Sequence, residues 1–125
     1  MNKEELLSRT KRFAVSIVFM VNKLPETRVS RVVLDQLLRS GTAVGANYRA
    51  LCRAKSEKDF INKLKMIEEE ADESLYWIDL LIESKLVTDT ELKPIRTEAD
   101  ELLRIFVAAL KTSWERLNLR IPPKS

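Results

Sequence analysis

"LLRSGTAVGANYRA", Leu37 to Ala50, holds the only two glycines of the 125-residue chain, and their reading decides the fold. Gly41 and Gly45 stand beside Ser40, Thr42, Asn47 and Arg49, a composition compatible with a loop that cradles a phosphate. The same spacing also puts two small residues on one face of a helix, where positions four apart are neighbours. The flanking pattern separates the two. Val33, Leu37, Gly41, Val44, Gly45, Tyr48 and Cys52 recur at steps of three and four straight through both glycines. A phosphate loop would interrupt that rhythm. The stretch matches neither G-x-x-x-x-G-K-[ST] nor G-x-G-x-x-G, and no β-rich run precedes it to supply a strand. Both glycines are therefore expected inside a long helix, where each costs about 0.5–1 kcal/mol relative to alanine. Two such costs on one face point to close approach by a neighbouring helix; a kink at Gly41 stays open as well.

Three more helices follow from the same periodicity. The first spans about Asn2 to Lys23, with Leu6, Thr10, Phe13, Ile17, Met20 and Leu24 on one face, and Pro25 ends it. The second, containing the glycines, starts at Thr27 as N-cap. The third opens on Ser56-Glu-Lys-Asp59, a short-armed capping box, and runs to about Lys85 on Phe60, Leu64, Ile67, Ala71, Ser74/Leu75, Ile78 and Ile82. The fourth opens on Thr88-Asp-Thr-Glu91, with Pro94 expected in or near its first turn. Its stripe is Ile95, Ala99, Leu102/Leu103, Phe106, Leu110, Ser113 and Leu117. Four long helices with short connections predict an all-α, antiparallel up-down-up-down four-helix bundle over residues 1–118, with 119–125 as a frayed tail.

Composition excludes several function classes. Apolar residues make up 45% and charged residues 33%, which suits solvated helices rather than disorder. The apolar run "FAVSIVFMVN" is too short to span a membrane, and no signal-peptide pattern precedes it. Histidine is absent, which removes the commonest general base and the commonest transition-metal ligand. The one cysteine, Cys52, lacks both a disulfide partner and a histidine to activate it. A cytoplasmic protein without a cofactor is expected.

The surface is less even. The net charge of +3 divides into 14 Lys/Arg against 6 Asp/Glu in residues 1–65, and 8 against 13 in residues 66–125. A basic half suits an anionic partner; neutralisation between the two halves, within or between subunits, accounts for it equally. Arg28, Arg31, Arg39, Arg49, Arg53, Lys55, Lys58, Lys63 and Lys65 form the basic run, with few aromatics. That pattern fits contact with a phosphate backbone rather than base stacking. Arg53, Lys55 and Lys58 flank a turn and are the leading nucleic-acid contacts. Arg49 and Arg39 are further candidates, though internal carboxylates compete for them.

Val15 and Phe19 on the first helix, and Tyr76 and Leu80 on the third, point away from the core stripes and suggest an oligomer interface. Burial under a wide stripe is the alternative. Glu70-x-x-Glu73 and Glu98-x-x-Glu101 resemble the paired acidic motifs of Mg²⁺-dependent all-α nucleotide pyrophosphohydrolases. Rotation of Glu73 and Glu101 out of the core argues instead for solvation or arginine pairing, so neither a metal site nor catalytic residues are expected.

One resemblance covers nearly the whole chain, from about Glu5 to Lys111. "LLRSGTxVGANYRxxxRAxS" followed by "EEADESLYW" resembles the four-helix-bundle family of proteins encoded within intervening sequences of bacterial 23S ribosomal RNA genes. Leu51 and Cys52 depart from it, because related versions carry an acid there and gain a local ion pair. The resemblance implies a homo-oligomer, a pentameric barrel. It also implies kinship with the accessory variability protein of diversity-generating retroelements, a basic barrel that binds a reverse transcriptase and nucleic acid. Together these give a non-enzymatic oligomeric scaffold associated with RNA, DNA or a ribonucleoprotein. The pyrophosphohydrolase and a purely structural assembly partner are the alternatives.

Overall fold

The computed structural model describes residues 1–117. The tail expected at 119–125 lies outside the described residues. Four helices follow one another: α1 (Lys3–Lys23), α2 (Arg28–Leu51), α3 (Glu57–Glu83) and α4 (Asp89–Arg116). No strand occurs among the described residues. Each helix packs on its neighbours in sequence, and α1 closes the square more sparingly on α4. The diagonal pairs, α1 with α3 and α2 with α4, have no backbone contact.

Short side-chain caps set the starts. The Asn2 side chain accepts from the Glu5 backbone N–H at 2.8 Å. Thr27 and Ser30 form a full reciprocal capping box, with Ser30 as an unforeseen partner. At α3, Ser56 accepts from the Asp59 N–H at 3.0 Å, while the Asp59 carboxylate reaches back one residue further, to the Lys55 N–H at 3.1 Å. Thr88 accepts from the Glu91 N–H at 3.3 Å. Pro94 sits in the second turn of α4 rather than the first, so its missing donor interrupts the hydrogen-bond ladder inside the helix. α3 ends at Glu83, and Lys85 takes the left-handed conformation (φ 62°). Leu86 N–H to Leu81 C=O and Lys85 N–H to Ile82 C=O then close a Schellman cap.

The core follows the predicted stripes but is wider. Leu34, Leu51, Ile61, Leu81 and Leu92 are buried beside the predicted residues. The two glycines lie within α2, which continues unbroken through them. A Cβ on Gly41 would run into the Cδ1 of Ile17, and one on Gly45 would stand 3.2 Å from the Thr10 carbonyl oxygen. Both glycines therefore let α1 approach α2 closely. Across the α2–α3 seam two buried serines do similar work. The Ser74 hydroxyl donates to Ser40 at 2.9 Å, so each small side chain is satisfied without a wider gap.

Candidate functional site

Antiparallel packing gathers the start of α1, the α2–α3 turn and the end of α4 at one end of the bundle. Lys3, Lys55, Ser56, Glu57, Phe60 and Arg116 line an open cavity of about 490 Å³ there, over Leu51 and Cys52. Arg49, Arg53, Lys55 and Lys58 are all exposed. Among the described residues none of these four has a carboxylate within salt-bridge distance. Arg49 also borders a groove of about 770 Å³ between α1 and α2, floored by Leu7, Ala14, Gly45 and Ala46.

The acids of this end are partly committed. Lys63 donates to Asp59 at 2.6 Å. That bond, with the Lys55 N–H, holds the Asp59 carboxyl below its ordinary range. Glu57 stands 4.0 Å from Arg116.

Arg39 is placed differently from the other proposed contacts. Its guanidinium reaches from α2 to Glu70, at 3.2 Å, and to Glu73 on α3. The competing carboxylates have taken it, so it does not belong with the exposed cations of the turn. On the opposite seam Arg9 of α1 clamps the other acidic pair. It bonds both oxygens of Glu98 at 2.7 Å and reaches Glu101 at 3.1 Å. These bonds outweigh the effect of burial and raise the Arg9 pKa further, so it stays charged. The two Glu-x-x-Glu motifs thus lie on different seams, each holding one arginine from a neighbouring helix. Among the described residues no three acids, cysteines or histidines gather as metal ligands. The Arg39 clamp realises the arginine pairing expected of these acids, whereas Arg9 escapes the sequence reading because it lies up to 92 positions from its partners.

Of the residues proposed for an oligomer interface, Val15, Phe19 and Tyr76 are exposed. Leu80 departs from expectation: it is half-buried and packs against the core. Val18 joins the exposed strip on α1. Trp77 sits edge-on to Tyr76 at 5.0 Å, and its buried indole N–H has no acceptor among the described residues.

Cys52 is half-buried beside Tyr48. Burial, with smaller contributions from Cys52 and Glu4, pushes the Tyr48 hydroxyl up to about 12. The folded state then holds this proton more tightly than the unfolded chain, whose tyrosine titrates near ~10. The associated stability is complete below that pH and is lost as pH rises toward 12. Tyr48→Phe should flatten the fall in stability over this window, as measured by urea denaturation of both proteins at stepped pH. Parallel curves would show that Tyr48 does not contribute to it.

The family model of the 23S rRNA-intervening sequence protein matches residues 2–108. The chain belongs to this family. A crystal structure of a protein of unknown function from the S23 ribosomal protein family of Bacteroides thetaiotaomicron is similar to it, at 34% identity. The match covers 89% of this chain and 99% of that one, with a TM-score of 0.81. No curated protein matches the chain. No helix among the described residues is long and apolar enough to cross a membrane.

Proposed function

We propose that this 23S rRNA-intervening sequence family member is a non-enzymatic, homo-oligomeric bundle that contacts the phosphate backbone of nucleic acid in the cytoplasm. The observation that carries the proposal is the set of exposed cations at the α2–α3 turn. Arg53, Lys55 and Lys58 stand there without carboxylate partners among the described residues, with Arg49 one turn before them. Arginine and lysine so placed neutralise phosphates and release condensed counterions. Sparse aromatics at this end favour backbone contact over base readout. The arginine clamps favour a non-enzymatic role, because the carboxylates a Mg²⁺ enzyme would need are divided between two seams. The exposed apolar residues of α1 and α3 support self-association.

The test is RNA binding measured against salt. Affinity should fall steeply with salt for every sequence tried. Changing Arg53, Lys55 and Lys58 together to alanine should weaken binding uniformly and reduce the salt slope by about one unit per lost contact. Absence of RNA or DNA binding by the wild type at low salt would sink the proposal and leave a structural assembly partner.

A further inference from the structure

The cavity at the end of the bundle differs from the rest of the basic surface in having an apolar floor. Leu51, the buried last residue of α2, and half-buried Cys52 lie beneath it. Phe60 packs partly on the core and partly lines the cavity, the only aromatic residue to do so among the described residues. Three cations reach the rim from separate parts of the chain. Lys3 comes from the start of α1, Lys55 from the α2–α3 turn and Arg116 from the end of α4. All three are exposed. Lys3 and Lys55 have no ion pair among the described residues. The one acid of the rim, Glu57, stands 4.0 Å from Arg116, too far for a hydrogen bond. Asp59 is turned to Lys63 and to the Lys55 N–H, where it pins the turn instead of opposing an anion.

Floor and rim together narrow the ligand. A phosphate alone needs only cations, as at exposed Arg53 and Lys58, and gains nothing from Phe60. A purely apolar molecule gains nothing from three cations against one acid. A flat ring joined to a phosphate uses both. A nucleotide has that form, provided its base is free of its neighbours. Duplex bases are paired and stacked, whereas those of a single strand splay out and stack on aromatic side chains. The volume of about 490 Å³ falls within the ~300–1,000 Å³ of small-ligand sites.

We infer that the end cavity takes one unpaired nucleotide of a single strand, with its base against Phe60 and its phosphate among Lys3, Lys55 and Arg116. The inference rests on the nucleic-acid contact proposed above. It adds a strand preference, and it adds Lys3 and Arg116, which lie outside the basic run in sequence. Every base has a π face, so stacking on one ring leaves binding indifferent to sequence.

Fluorescence anisotropy tests it with a short single-stranded RNA and the blunt duplex of the same sequence, with circular dichroism confirming the fold of each variant. Phe60→Leu keeps the wall apolar but removes the ring. It should weaken single-strand binding on the order of fivefold or more and leave duplex binding unchanged. Phe60→Trp should retain the single-strand affinity. Lys3→Ala with Arg116→Ala should also weaken the single strand selectively, reducing its salt slope by about 0.7 unit per lost contact. Arg53→Ala with Lys58→Ala should weaken both RNAs. If both RNAs bind and Phe60→Leu changes neither or both alike, the cavity is not a nucleotide site and the backbone contact stands alone. Equal losses on both RNAs for the Lys3 and Arg116 variant would overturn it too. Displacement of the RNA by adenosine monophosphate at equal concentration would make a free nucleotide the occupant and overturn the strand. If the wild type binds neither RNA, the proposed function fails and this inference with it.

Discussion

Gly41→Leu should melt below the wild type, by up to roughly 8 °C. Gly41 is buried on α2, and even a Cβ at this position runs into the Cδ1 of Ile17. Ile17 is fully buried in α1, so its end cannot swing into solvent and must press on the core. A leucine adds three further carbons to that conflict. Overpacking of this kind costs about 1–3 kcal/mol. For a domain of this size one kcal/mol corresponds to about 4 °C, from the average unfolding entropy per residue. Better helix propensity offsets at most about 1 kcal/mol of it. Gly45→Leu should move in the same direction. Its Cβ meets a backbone carbonyl that cannot rotate away, although the side chain beyond can turn toward the α1–α2 groove. Thermal unfolding followed by circular dichroism measures both. An unchanged melting temperature for Gly41→Leu would mean that α1 is not held against α2 at this point.

The place of both glycines inside α2 is legible in the sequence because it is local. A three-four rhythm that survives two glycines is a property of one helix, and so are the caps at Thr27, Ser56 and Thr88. Properties set between helices were less legible. The predicted stripes took one residue per turn and missed Ile61, Leu81 and Leu92, because each inner helix face is flanked by two neighbours and buries a wider arc. Leu80 looked like an outward residue for the same reason. The basic run showed which residues were cationic but not which were engaged. Arg39 and Arg53 differ only in what the bundle brings beside them: two glutamates of α3 for the first, and no carboxylate within 4.0 Å among the described residues for the second. The Glu-x-x-Glu spacing was correctly seen as paired carboxylates, while the identity of their partner depended on packing. Periodicity does not encode that.

Phe106→Ala should produce a larger loss still. Phe106 is the largest fully buried side chain, 1% exposed, and comes from α4. Its ring lies 5.8 Å from that of Tyr48 on α2, tilted by 49°. α2 and α4 are diagonal, with no backbone contact, so these two rings bridge the centre of the bundle. Removing one leaves a void between helices that are held apart by their other neighbours. The cavity therefore closes poorly, and the cost falls at about 3–5 kcal/mol. That is a large part of the total stability of a typical domain, about 5–15 kcal/mol. Phe106→Leu keeps the site apolar and retains much of the volume, so it should lose far less. Urea denaturation of the wild type and both variants gives the comparison. Equal, small losses for the alanine and leucine variants would show that the bundle collapses onto the void. The Tyr48–Phe106 bridge would then not be what spaces α2 from α4.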